Sequence, residues 1–237
     1  MKAKLIFVTG GASGLGLELV RAARRNGHRV ICTGRRGAQD LPVDFPDIPY
    51  LSCDLASEDG AHMAADWALR HSGGQIDCAI LNAADGHFRP LMMETPDAIT
   101  RVLSVNLEAN MILAHRLYPT LGGGHLALIG SVAHKGAAGM PVYAASKAAL
   151  DGFGRALAEE WRGRTCVRVL HPGPTATGMA ERAGRRPNAA DKLFLAPRPM
   201  AQAVLDAALA TKGPDRQVIS YGRVLFSPAR WRRKGAA

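Results

Sequence analysis

The 237 residues predict one α/β domain, a doubly wound parallel sheet of about seven strands flanked by helices. Three observations predict it. Short apolar runs alternate with longer segments of helical periodicity along the chain. The apolar runs are nearly continuous, as strands buried on both faces must be. A glycine-rich turn, Thr9-Gly10-Gly11-Ala12-Ser13-Gly14-Leu15-Gly16, joins the first apolar run to the first helical one. Hydrophobic residues make up 47% of the chain, enough for a full core, and no repeat or linker divides residues 1–237.

The elements follow in order. Residues 4–8 read as a buried strand. Leu15, Leu19, Val20 and Ala23 recur at helical spacing as far as Asn26, and Gly27 stops that helix. A second strand spans 29–33 and ends at Gly34-Arg35-Arg36; the proline-rich stretch 41–49 is a loop. Residues 50–53 form a short third strand, and Ser57 is read as the cap of a helix reaching about residue 71. The fourth strand is 78–81, followed by a loop with Asp85, Gly86 and His87. Thr95-Pro96 opens a helix with proline at its first position, and a separate helix covers 107–120. Strand 125–129, a long helix over 142–161, strand 167–171 and the turn Pro172-Gly173-Pro174 come next. Residues 176–197, rich in Gly, Pro and Arg, are expected to form a lid. Helix 199–211, strand 217–220 and a basic tail at about 227–237 complete the chain.

The formal charge is +10, yet the basic residues are scattered and cluster only at Arg230-Trp231-Arg232-Arg233-Lys234. With 5% aromatic residues and no helix-turn-helix or zinc-finger pattern, no nucleic-acid partner is expected, and a polyanionic cofactor accounts for the charge better. No run of eighteen apolar residues occurs, so no membrane span is expected. The apolar start is too short for a signal peptide. Cys32, Cys53, Cys78 and Cys166 show no C-x-x-C spacing. They read as reduced thiols in a cytoplasmic protein without a metal site.

The glycine turn places free helix amides and a partial positive charge where a pyrophosphate can sit. Its spacing, G-x-x-x-G-x-G, differs from the common G-x-G-x-x-G fingerprint. An acidic residue at the end of the second strand would bind a ribose 2′-hydroxyl; Arg35 and Arg36 stand there instead and suit a 2′-phosphate. NADP(H) is the inferred cofactor. Tyr143 and Lys147 are four apart on one helix face. A fixed positive charge lowers a phenol's pKa from about 10 and suits it to exchanging a proton with an alcohol or ketone oxygen. Singly, each feature also reads as ordinary structure: a tight turn, solvated arginines, a packed ring beside a snorkelling lysine.

Together these residues resemble the short-chain dehydrogenase/reductase family over about residues 4–179. The resemblance implies a Rossmann fold and assigns Asn106, Ser131, Tyr143 and Lys147 to catalysis. Tyr143 is then the acid or base, Lys147 its tuner, Ser131 the holder of the substrate oxygen, and Asn106 the binder of a relay water. It implies cofactor contacts from Gly10, Ser13, Gly14, Leu15 and Gly16 in the turn, from Arg35 and Arg36, and from Asp54 and Leu55 after the third strand. Asn82, Ala83 and Ala84 after the fourth, and Pro172, Gly173, Thr175 and Thr177 after the sixth, complete that set with Tyr143 and Lys147. The sequence departs from the family's N-N-A-G at Leu81 and Ala84. It has Ser220-Tyr221-Gly222-Arg223 where the acyl-carrier-protein reductases end in V-D-G-G. The implied activity is hydride exchange between the nicotinamide and a carbonyl or secondary alcohol, with reduction of a ketone or aldehyde expected. A 3-oxoacyl thioester reductase and a non-catalytic NADP(H)-sensing protein are the alternatives. His87, Phe88, Met92, His134, Met140 and Met179 are expected to line a largely apolar substrate pocket. Helices 107–120 and 142–161 are candidates for assembly into a homodimer or homotetramer.

Overall fold

The computed structural model describes residues 2–178, 183–184, 191, 194–220, 222 and 224. Seven strands form one sheet in the order β3-β2-β1-β4-β5-β6-β7. They are β1 (Leu5–Thr9), β2 (Arg29–Gly34), β3 (Tyr50–Ser52), β4 (Cys78–Leu81), β5 (His125–Ile129), β6 (Cys166–Pro172) and β7 (Arg216–Ile219). Every neighbouring pair is parallel. The helices are α1 (Gly14–Arg25), α2 (Gly60–Ser72), α3 (Pro96–Leu103), α4 (Ala109–Leu117), α5 (Pro141–Glu160) and α6 (Pro197–Leu209).

Alternation along β1 shows how two cores form. Leu5 and Phe7 point to the face covered by α2, α4 and α5, where Trp67, Leu113 and Leu150 meet Leu126 and Leu128. Ile6 and Val8 point to the other face, against Leu19 and Val20 of α1 and Val204 and Leu205 of α6. Each such side chain buried contributes roughly 1.5–3 kcal/mol. The chain order reverses between β1 and β4, the place beyond the carboxyl ends of the strands where open α/β sheets bind their ligands.

Two expectations need correction. Ser57 does not cap α2: the helix starts at Gly60, and the Ser57 hydroxyl donates to the Asp54 carbonyl at 2.7 Å. The two helices expected around residues 96 and 107 are one helical run, joined by a π turn at Ser104–Glu108. No Gly or Pro interrupts residues 97–117, so the backbone inserts a wide turn rather than breaking. Asn110 Nδ2 ties that turn down by donating to the carbonyls of Val105 and Asn106.

Candidate active site

The glycine turn sits at this place, where β1 ends. Gly10 and Gly14 have φ of 69° and 54°, which disfavour other residues. Gly16 has an ordinary φ but no room: a Cβ there would lie 2.0 Å from the Gly10 carbonyl oxygen. The Thr9 hydroxyl accepts the amides of Asn82 at 2.9 Å and Ala83 at 3.0 Å, and Asn82 Nδ2 donates to the Thr9 carbonyl at 3.1 Å. These bonds hold the loop after β4 across the turn. The segment after β6 closes the third side, since a Cβ on Gly14 would meet Thr177 at 3.2 Å. Thr175 Oγ1 donates to the Gly173 carbonyl, shaping that segment. Ser13 makes no capping bond, and the first turn of α1 carries no acid. This turn suits a dinucleotide pyrophosphate: the first amides of α1 have neither a capping side chain nor an acid beside them.

Arg35 and Arg36 leave β2 exposed to solvent. Arg35 Nη1 lies 3.5 Å from Asp85 Oδ2. Asp54, after β3, accepts the Ala56 amide at 3.0 Å and faces Arg101 Nη1 at 3.0 Å. Burial works to raise the Asp54 carboxyl, but the Arg101 guanidinium and the Ala56 amide outweigh it and hold Asp54 below its usual range. Arg101 Nε also donates to Asp85 at 2.9 Å, so one guanidinium ties the loops after β3 and β4. Leu55 is buried in the core, which leaves its backbone to serve a ligand. Neither Asp85 nor Arg101 stands out in the sequence. Asp97, four residues before Arg101, is the partner that helical spacing offers; the tertiary structure chooses two others.

Asn106 is fully buried in the π turn. Its Oδ1 accepts the Asp85 amide at 2.8 Å, and its Nδ2 donates to the Asp85 carbonyl at 2.8 Å and Ser146 Oγ at 2.9 Å. Ser131 follows β5 with extended backbone, and its hydroxyl accepts the Ala133 amide at 3.1 Å. The Ser131 side chain lies close enough to the Tyr143 phenol to favour its ionised form. Lys147 Nζ lies 5.7 Å from the Tyr143 ring centroid and donates to the Ile129 carbonyl at 2.8 Å. Gly86 packs against the ring, where a Cβ would be 2.7 Å from Tyr143 Cδ2.

The phenol differs from expectation. Burial raises the Tyr143 pKa, and the nearby Ser131 side chain offsets this only in part. Lys147 is itself buried, and its ammonium is aimed at the Ile129 backbone. Burial depresses Lys147 to about 8.

The pocket residues divide. His87 Nδ1 lies 3.3 Å from Glu94 Oε2, and Arg89 Nε lies 3.2 Å from the same oxygen, so His87 faces a carboxylate of its own loop. Phe88 packs near Gly139, and its amide donates to the Ala183 carbonyl at 2.5 Å. Met92 is exposed, whereas Met140 is half-buried beside α5. His134 has both ring nitrogens engaged, by Ser131 and Arg216. Met179, most of the lid at 176–197, Tyr221, Arg223 and the tail at 227–237 lie outside the described residues. Cys32, Cys53 and Cys78 are buried free thiols, while Cys166 is partly exposed. Among the described residues no helix is long and apolar enough to cross a membrane.

A short chain dehydrogenase family model matches residues 4–188. Carbonyl reductase family member 4 from Danio rerio is 31% identical over 214 residues, covering 85% of this chain and 90% of that protein. A 3-oxoacyl-[acyl-carrier-protein] reductase from Homo sapiens is 32% identical, covering 75% and 78%. Among solved structures, a blue fluorescent protein from a metagenomic library in complex with NADPH superposes with a TM-score of 0.75 at 27% identity, covering 93% and 97%.

Proposed function

The chain belongs to the short-chain dehydrogenase family, an oxidoreductase family, and on that premise we propose that it is an NADP(H)-dependent reductase of a ketone or aldehyde. One observation carries the reading: Ser131 stands beside the Tyr143 phenol, with Lys147 Nζ 5.7 Å from the ring centroid, at the sheet end where the uncapped glycine turn also sits. Two adjacent arginines after β2, with no carboxylate at that strand end in the sequence, support the choice of NADP(H) over NAD(H). So does the NADPH bound in the similar metagenomic protein. The carbonyl reductase name of the zebrafish relative supports the reaction class.

The turn Gly10–Gly16, with Ser13 and Leu15, would hold the pyrophosphate, and Arg35 and Arg36 the 2′-phosphate. Asp54 and Leu55 would meet the adenine; Asn82, Ala83 and Ala84 the riboses; and Pro172, Gly173, Thr175 and Thr177 the nicotinamide side. The bound cofactor supplies the hydride. Ser131 Oγ fixes the substrate oxygen by a hydrogen bond that strengthens as charge develops there. Tyr143 gives its phenolic proton to that oxygen, its ring packed against Gly86. Lys147 keeps a positive charge next to the resulting phenolate and would hold the cofactor ribose. Asn106 fixes the Asp85 backbone and Ser146, and so the floor on which Tyr143 stands. A homodimer or homotetramer belongs to the proposal; Leu103 and Met111, each 39% exposed on the α3–α4 run, are apolar surface that association would cover.

The deciding experiment measures NADPH oxidation against aldehydes, ketones, quinones and 3-oxoacyl thioesters, with NADPH binding followed in parallel. Turnover of a ketone or aldehyde is expected. Selective use of thioesters would assign the chain the narrower reductase role. Tight NADPH binding with no turnover across the panel would favour a sensing protein. Light scattering reads the oligomer.

A further inference from the structure

Ser131 is held by more than its place at the end of β5. Its carbonyl oxygen accepts the His134 ring nitrogen Nδ1 at 2.6 Å and the His134 amide at 3.1 Å, and His171 Nδ1 faces it at 3.1 Å. The two imidazoles stack with centroids 4.0 Å apart. A carbonyl can only accept, so His134 carries its proton on Nδ1. Its Nε2 then holds the lone pair, which faces Arg216 Nη2 at 2.5 Å. Arg216 Nε donates to Asp151 Oδ1 at 2.8 Å, and His171 Nε2 meets the same oxygen at 2.8 Å. The circuit closes: Asp151 of α5, His171 of β6, Arg216 of β7 and His134 all converge on one peptide.

The two rings have different tasks. His171 faces two acceptors, Asp151 and the Ser131 carbonyl, but a neutral imidazole has one proton. Burial depresses its pKa, which keeps it neutral at pH 7, and the Asp151 charge draws that proton to Nε2. His134 therefore supplies the constant side-chain bond to Ser131, and His171 buttresses it. The fit is close: a Cβ on Gly130 would lie 2.5 Å from His171 Nδ1. Rotation of the peptide after Ser131 would break this bond and swing the hydroxyl away from Tyr143.

We infer that His134 and His171, anchored by Asp151 and Arg216, are positioning residues for the Ser131 hydroxyl. The inference rests on the reductase reading, which needs that hydroxyl aimed at a substrate oxygen. The test compares His134→Phe, which keeps a stacked ring without a donor, with His134→Asn, whose amide can occupy the place of Nδ1. The Phe variant should lower kcat about 10–100-fold, the loss expected when a catalytic group moves by about 1 Å. Its Kd for NADPH should stay at the wild-type value, and the Asn variant should regain most of the kcat. Unchanged kcat in the Phe variant, or an Asn variant as impaired as Phe, would overturn the inference. Arg216→Gln breaks the same circuit at an exposed side chain and should shift kcat in the same direction; it decides the matter if His134→Phe does not fold.

Amide exchange at Ala133, whose N–H donates to Ser131 Oγ, reads the hydroxyl's position without turnover. It should be faster in the Phe variant and at the wild-type rate in the Asn variant; equal rates in all three would also overturn the inference. A wild-type chain that reduces no carbonyl sinks the reductase reading, while exchange at Ala133 still decides the positioning role.

Discussion

The two ends of the candidate site are finished in opposite ways. At the glycine turn, donors are left open: Ser13 makes no capping bond, α1 has no acid in its first turn, and Arg35 is 56% exposed with only a 3.5 Å approach to Asp85. At the Ser131 end, the chain meets its own polar groups. Lys147 bonds Ile129, Asn106 bonds Asp85 and Ser146, and two imidazoles crowd the Ser131 carbonyl. The difference separates binding from chemistry. A polyanion is captured by donors the fold has not used, whereas a reacting oxygen needs groups held in place before it arrives.

Tyr143→Phe probes the finished end most severely. It should cut kcat about 1000-fold, the middle of the range for losing a general acid, with NADPH affinity unchanged. Steady-state kinetics with fluorescence titration of NADPH checks this, and a turnover-competent variant would remove Tyr143 from the mechanism. Gly16→Ala probes the open end. Overpacking against the Gly10 carbonyl costs roughly 1–3 kcal/mol, so NADPH should bind about 10–100-fold more weakly while the Ser131–Tyr143 pair stays intact. Equal loss of both would mean that the two ends are one unit.

Arg35→Asp narrows the question to the 2′-phosphate. NADPH affinity should drop about tenfold, as for one lost charge-assisted contact, and NADH affinity far less. Parallel Kd measurements decide; matched losses would show that Arg35 does not read the phosphate. Lys147→Met should have the smallest effect on folding and the most telling sign. The native pKa of about 8 lies below the ordinary 10.5. A lysine depressed in this way gives its full stability above pH 10.5 and loses it as pH falls through about 8. At pH 7 the buried charge is therefore a cost, and the Met variant should melt higher by about 2–4 °C, roughly 1 kcal/mol in a domain of this size. The gain should vanish above pH 10.5, and a lower melting point at pH 7 would contradict the assigned burial.

The turn and the Tyr143-Lys147 pair were legible because each depends on residues close in sequence: glycines at a strand end, and two side chains one helical turn apart. The seven strands were legible as apolar runs, although two helices merged through a π turn that no residue type announces. Arg101 was illegible because Asp97 offered it a local partner, while Asp54 and Asp85 come from loops 47 and 16 residues away. The Asp151-His171-Arg216-His134 circuit was illegible for the same reason, since its members span 82 residues. The burial of Lys147 and its bond to the Ile129 carbonyl were likewise set by residues far apart in sequence.

The sequence by itself determined the parallel sheet, the glycine turn and the order of the candidate site residues, because periodicity and glycine placement act within a few positions. Only the tertiary structure decided which charges pair, which protons the histidines keep and how strongly burial moves Tyr143 and Lys147. Those outcomes depend on solvent removal and on distances between strand ends, and neither exists until the sheet has formed.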